Sequence, residues 1–318
     1  MSLLEKNDYG QVQQVNLAAK VSSGPSSEVS LESLSKLAPE MTALVINHKN
    51  TQAKVSLYGG QVLSWQPTDE KEVFWLSKSA AFEQGKAIRG GIPICWPWFG
   101  VHPNDSENKS GNHGFARCQL WHVENIDISE EGVEISLSWQ GNNMSDLWPF
   151  ACRLTQVLFF GKSFNQVLTM TNLSDTDAYY AGALHSYFSV SAPINTRLAE
   201  LAKAPFDDKL TGELCAAKPL VTSLANGCDP VDRVYHSNDV MRIVDTDWQR
   251  TIEIKATNTQ QWVFWNPAIE LAKKMADIHE QGEQEFICLE AANTQMQLLE
   301  AGKTLFMSQH ITVAKNKD

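Results

Sequence analysis

From Met41 onward the chain alternates between short apolar runs and clusters of Gly, Pro, Asp and Lys. "TALVINH", "AKVSLY", "QVLSWQ" and "EVFWLS" are rich in β-branched and aromatic residues, the pattern of half-buried and buried strands. "QLWHVENIDISEEGVEISLSW" reads as two such runs hinged on "SEEG". "CRLTQVLFFGKSFNQVLTMTNLSD" repeats that hairpin with "GKS" as its turn. Later runs are "AYYAGALHSYFSV", "TIEIKAT", "QQWVFWN", "EFICLEAA" and "TLFMSQHITVA". Helical patterns are few: "SLESLSKLA", "SKSAAFEQ" and "IELAKKMAD". Short strands in meanders, with almost no βαβ alternation, predict an all-β fold, a large antiparallel sandwich or barrel. No repeat of about 20 to 50 residues recurs, which disfavours a propeller or solenoid.

Residues 1–40 read differently. "KVSSGPSSEVSLESLSK" is serine-rich, and only its end has a helical pattern. The expectation is an N-terminal arm over 1–40, partly helical or mobile, followed by one β-sandwich domain over 41–318. One apolar stretch of that domain is neither helix nor strand. In "AIRGGIPICWPWFG", Ala87 to Gly100, Pro93 and Pro97 would break the interior of either element. This stretch is predicted to be an irregular loop dense in aromatic residues, with Arg89 as its single cation.

Composition narrows the function classes. The chain of 318 residues is 43% hydrophobic, enough for a sizeable core, so global disorder is excluded. A formal charge of −11 argues against a nucleic-acid partner, because phosphate backbones attract basic surfaces. The cysteines are scattered without a C-x-x-C pair, as suits a reducing compartment and not a zinc ribbon. "MSLLEKNDYG" has no apolar export core, and no run approaches the length of a membrane span. These features predict a cytoplasmic protein without a membrane partner, and nothing in them demands more than a monomer. No pair of histidines has ligand-like spacing, and "HEQGE" at His279 lacks the second histidine of a zincin, so no metal site is expected.

Candidate chemistry lies in three further stretches. In "GNHGFARCQLW", His113 and Arg117 bracket a small apolar patch, and the polar loop before it returns the chain toward the Trp-rich loop. Arg89 and Arg117 facing one pocket would suit a phosphate, whose oxygens match guanidinium forks. In "GALHSYFSV", period two puts His185 on a face with Ala183, Tyr187 and Ser189, opposite the more apolar Leu184, Phe188 and Val190. His185 would then look outward as the floor of a cleft, placed for proton transfer near neutral pH. In "EFICLEAAN", Glu290 closes an apolar strand, a rigid mount for a general base. Taken singly, each has an ordinary structural counterpart: a solvated turn for His113, a satisfied core or rim residue for His185, a solvent-facing strand end for Glu290.

In order along the chain, "IRGGIPICWPWFG", "HGFAR", "LHSYF", "VDRVY" and "FICLEAAN" resemble the signature blocks of the hexose-6-phosphate mutarotases. These glucose-6-phosphate 1-epimerases belong to the aldose 1-epimerase superfamily, and the likeness runs from about residue 40 to near the carboxyl terminus. The resemblance implies a galactose mutarotase-like β-sandwich with the sugar in a shallow cleft on one sheet. It implies His185 as general acid, Glu290 as general base, and His113 at the reacting end of the sugar. Arg89 and Arg117 would bind the 6-phosphate, and Asp232 a sugar hydroxyl. Trp98 departs from the family pattern, where a more polar residue such as glutamine is expected. The implied reaction interconverts α and β anomers of a small-molecule sugar phosphate and needs no cofactor and no metal. Two other readings stay open: a free aldose 1-epimerase, and a non-catalytic carbohydrate-binding sandwich. A glycoside hydrolase normally needs two carboxylates about one bond, whereas these blocks supply one carboxylate and one histidine.

Overall fold

Alternation is strictest in the hairpin turned by Gly161, Lys162 and Ser163, where Phe164, Gln166, Leu168, Met170 and Asn172 face inward and the residues between them outward. The computed structural model describes residues 2–17, 41–214 and 229–316, and their strands form three antiparallel sheets. The first runs in chain order through β1 (Ser2–Lys6), β2 (Gly10–Asn16), β3 (Thr42–His48), β4 (Thr51–Ser56) and β5 (Gln61–Pro67).

The second sheet has eight strands. They are β7 (His122–Ile128), β8 (Gly132–Gly141), β9 (Cys152–Gly161), β10 (Ser163–Asn172), β13 (Thr196–Arg197), β16 (Met241–Asp245), β17 (Arg250–Thr257) and β20 (Thr304–Lys315). Their spatial order is β13-β16-β17-β20-β10-β9-β8-β7. The third comprises β6 (Ile94–Cys95), β11 (Ala178–Leu184), β14 (Phe206–Asp208), β15 (Val231–Tyr235), β18 (Gln261–Asn266) and β19 (Phe286–Leu299), with β12 (Tyr187–Ser189) also paired to β19. Its order is β14-β15-β18-β19-β11-β6. Both predicted hairpins form, β7–β8 around "SEEG" and β9–β10 around "GKS".

The main core joins Leu158, Phe164 and Ile311 of the second sheet to Leu184, Phe264 and Leu289 of the third. Leu44, Val55 and Trp65 of the first sheet pack into the same cluster. This is the antiparallel sandwich expected. The other face of the third sheet is lined by the small residues Cys95, Ala183, Val234, Val263 and Ala292. Small side chains there leave room above the sheet. Registers set out that face in rows: Ala183 pairs with Ala292, and Ala292 with Gln261; Glu290 pairs with Val263, and Val263 with Val234.

The start of the arm packs on the main domain as strands: β1 and β2 extend the first sheet through β3 across the boundary drawn at residue 40. Two helical expectations change. The helical stretch "SLESLSKLA" lies outside the described residues. "SKSAAFEQ" is loop: the Ser77 hydroxyl accepts from the backbone N–H of Ser79, as an N-cap would, but also from His279 N, and no helix follows. "IELAKKMAD" forms only the short helix Ala268–Ala272 before turning. No helix among the described residues is long and apolar enough to cross a membrane.

Candidate active site

The loop from Ala87 to Gly100 proves to be the mount of the site. Its peptide groups hold the segment that carries His185: Pro93 O accepts from His185 N at 3.1 Å, and Gly91 O from Tyr187 N at 2.9 Å. Ile94 and Cys95 form β6 beside β11. These bonds, together with Ser186 O accepting from Leu289 N, interrupt the strand at His185 and Ser186, where a continuous one is expected. The period survives the break. Leu184, Phe188 and Val190 enter the main core while His185 and Tyr187 face out, as alternation predicts. Ser186 points inward despite its polarity and is satisfied by Gln309, which bonds to Gln166 and through it to Gln156.

The loop also fixes the second block. Trp96 O accepts from Phe115 N at 3.0 Å and Ala116 N at 3.2 Å, and Gly100 O from His113 N at 2.8 Å. Gly114, at φ +66, packs so closely that a Cβ would lie 2.0 Å from Trp96 O, so only glycine fits. Trp98 is buried behind this contact, its indole donating to Gly111 O at 3.1 Å. It supports the loop of His113 and Arg117 and does not line the cavity beside them.

All six residues singled out in the sequence, Arg89, His113, Arg117, His185, Asp232 and Glu290, line one cavity of about 680 Å³. His185 Nε2 lies 3.3 Å from Glu290 Oε1. His185 Nδ1 and Glu290 Oε2 are buried with no protein partner, so the pair presents unmet hydrogen-bonding capacity. Burial, then Asp232, pushes the Glu290 carboxyl well above the usual carboxylate range, against Arg117. Burial, then the fields of His113, Arg117 and Arg89, holds His185 well below the usual imidazole range. Burial thus works toward the neutral form of both groups. Gly100 N donates to His113 Nδ1 at 3.2 Å, which leaves Nε2 of a neutral ring as the hydrogen-bearing nitrogen. Burial and the two arginines hold His113 down to about 3.

Arg89 is tied in place by Asp277 Oδ2, 2.9 Å from Nε, and by the Tyr187 hydroxyl, 2.9 Å from Nη1. Arg117 donates to Asn112 O at 2.7 Å. Asp232 and Trp265 are register partners on β15 and β18, and Trp265 forms part of the wall beside Arg89. Sequence reasoning missed Asp277 and Trp265. Trp265 was accessible to it, because "QQWVFWN" places Gln261, Val263 and Trp265 on one face; nothing in "IELAKKMAD" marks Asp277. Among the described residues no cluster of three His, Cys, Asp or Glu side chains is arranged to hold a metal ion.

The sequence model of the family described as aldose 1-epimerase matches residues 42–312. The chain belongs to the aldose 1-epimerase family. It is 31% identical over 281 residues to a Salmonella typhimurium protein named "Putative glucose-6-phosphate 1-epimerase", covering 87% of this chain and 92% of that one. A Haemophilus influenzae protein of the same name is 32% identical over 237 residues, 74% of this chain and 78% of that one. Among solved structures, a Salmonella typhimurium protein described as "a putative mutarotase" superposes with a TM-score of 0.80 at 27% identity, over 99% of this chain and 97% of that one. A galactose mutarotase-like protein of Clostridium acetobutylicum shares the fold, with a TM-score of 0.72 at 14% identity over 97% of this chain and all of that one. As an aldose 1-epimerase family member the protein is an isomerase, and the resemblance read from the five sequence blocks holds.

Proposed function

We propose that the protein interconverts the α and β anomers of a hexose 6-phosphate, with glucose 6-phosphate as substrate. The observation that carries this reading is the convergence of Arg89 and Arg117 on the cavity that holds His185 and Glu290. In an acidic protein, two arginines at one end of a sugar-sized cavity favour an anionic substituent, and a hexose phosphate supplies it at the end remote from C1. The names of the relatives point the same way.

In the proposed reaction Glu290 takes the proton of the anomeric hydroxyl as the C1–O5 bond breaks, and His185 gives a proton to O5. The aldehyde rotates about C1–C2 and closes on its other face with both transfers reversed. Ring opening thus converts carboxylate and imidazolium into neutral carboxyl and neutral imidazole. Burial favours that neutral state, so a proton must pass from Glu290 to His185 across their 3.3 Å contact as the sugar binds, before the ring opens. His113 Nε2–H and Asp232 serve as contacts to the sugar, and the arginines orient the ring between acid and base.

The test is NMR saturation transfer between the anomers of glucose 6-phosphate. The folded protein is expected to speed exchange well above the buffer rate; exchange at the buffer rate overturns the reading.

A further inference from the structure

A single side chain joins the arginine end of the cavity to the candidate acid. Arg89 Nη1 donates to the Tyr187 hydroxyl at 2.9 Å, and the Tyr187 ring lies on the His185 imidazole at 4.8 Å between centroids and 7° between planes. Arg89 Nε is occupied by Asp277, which leaves further N–H groups of the fork for an arriving anion.

The surroundings of His185 are unbalanced in charge. The 111–117 loop brings the His113 ring to 5.7 Å and adds Arg117, and the 87–100 loop adds Arg89. From β19 comes Glu290 at 3.3 Å, itself acted on by Asp232 of β15 and by Arg117. The thiols of Cys95 and Cys288 on the same sheet face are kept neutral by burial. Arg89 and Arg117 both oppose an imidazolium at His185, whereas Glu290 feels Arg117 and Asp232. A second cavity, of about 950 Å³, shares Arg89, Arg117 and Tyr187 with the first and carries Lys78 and Lys86 in its lining. An anion therefore has an approach of its own to the arginines while a sugar fills the first cavity.

Building on the function proposed above, we infer that a dianion at Arg89 and Arg117 activates His185 as well as holding the substrate, so that a free inorganic dianion accelerates anomer exchange of an aldose lacking a phosphate. The dianion offsets the two positive charges that withhold the proton from His185, and the Tyr187 bridge keeps Arg89 in register with the ring. It is not consumed, and the proton transfers at O1 and O5 stay those already described.

The experiment uses D-xylose, an aldopyranose without C6, and sulfate, a dianion too weakly basic to catalyse mutarotation in solution. Exchange is followed by NMR with rising sulfate at constant ionic strength. The expected result is a saturable increase in kcat/KM of about tenfold or more, the effect of one unit in the acid's pKa. The alkaline limb of the pH profile should move upward with it, because His185 acts in its protonated form. Arg89→Ala should abolish the response, and Tyr187→Phe, which keeps the stacked ring but loses the acceptor for Arg89, should reduce it. Xylose exchange that stays flat or falls with sulfate, in protein that exchanges glucose 6-phosphate rapidly, overturns the coupling alone. So does a response undiminished in Arg89→Ala. Failure to exchange glucose 6-phosphate overturns the underlying function, and the coupling falls with it.

Discussion

Glu290 Oε1 and His185 Nε2 face one another across 3.3 Å, from β19 and from the break between β11 and β12. The two strands are register partners on either side of that break: Leu184 pairs with Ala291, and Tyr187 with Cys288. The contact is thus set by backbone hydrogen bonds on both sides of His185. A site mounted on paired strands holds acid and base more rigidly than loops would.

Replacing either partner should remove the proton transfer while sparing the fold. Glu290→Gln keeps the shape of the side chain, but an amide cannot take the anomeric proton. His185→Ala leaves the backbone bond to Pro93 in place. Each substitution is expected to lower kcat for anomer exchange about a hundred- to ten-thousandfold, the usual weight of general acid–base catalysis. Circular dichroism should show the native β signature in both. Near-native rates in Glu290→Gln would remove that residue from the mechanism.

His113 makes stability depend on pH. Its ring is held to about 3 in the fold, against an ordinary value of 6.5. Between those values the unfolded chain binds more protons than the folded one, so this contribution is complete above about 6.5 and is lost as pH falls toward 3. His113 also has φ +67, a conformation asparagine tolerates better than most residues. His113→Asn should therefore flatten the acid side of the stability profile by up to about 1.4 kcal/mol per pH unit. Urea denaturation at a series of pH values between 3 and 7 reads the slope directly; identical slopes would show that the ring is not held neutral.

The alternation in "CRLTQVLFFGKSFNQVLTM" was enough to read the hairpin, its turn and its inward residues, because both strands bury one face against a single core. The same reasoning found the outward face of His185 and Tyr187, since the period survives the break between them. The break itself was not legible: it depends on carbonyls of Gly91 and Pro93, more than ninety residues away, that take the place of a strand partner. Asp277 was hidden for a similar reason. It meets Arg89 across 188 positions, and its local sequence reads only as a helical stretch. Ser186, Gln309, Gln166 and Gln156 run against the alternation, polar residues at core positions that satisfy one another between the sheets. The polar loop that returns the chain toward the Trp-rich loop already suggests that Arg89 and Arg117 converge; the resemblance of whole blocks is what gives them a 6-phosphate to bind.

Two glycines on either side of His113, Gly111 and Gly114, separate backbone strain from close contact. Gly111 and Gly114 have φ +73 and +66, so alanine is strained at either. A Cβ at Gly111 meets nothing within 4 Å, whereas at Gly114 it would lie 2.0 Å from Trp96 O and 2.3 Å from its carbonyl carbon. Gly111→Ala should cost about 1 to 2 kcal/mol, the penalty of the left-handed region alone. Gly114→Ala should cost clearly more and also reduce anomer exchange, because the peptide that must shift carries His113 and Arg117. Thermal melts and kcat/KM measured together decide this. Equal losses in the two variants would mean that the Trp96 contact does not hold the loop.

The arginines separate a sugar-phosphate enzyme from one that acts on free aldoses. A charge-assisted hydrogen bond to phosphate contributes about 1.5 to 3 kcal/mol, and every 1.4 kcal/mol is tenfold in affinity. Arg89→Ala and Arg117→Ala should each raise KM for glucose 6-phosphate by about ten- to a hundredfold. Neither arginine has a phosphate to meet when the substrate is glucose, so the ratio of kcat/KM for glucose 6-phosphate over glucose should fall by a similar factor. Arg89 is oriented by Asp277 and Tyr187, whereas Arg117 is anchored by one carbonyl contact, at Asn112. Lysine keeps the charge but not the fork, so Arg89→Lys should recover only part of the loss, having surrendered the paired geometry. An unchanged substrate ratio in both alanine variants would assign the cavity to a free aldose, with the arginines left as structural cations around Asp277 and Asn112.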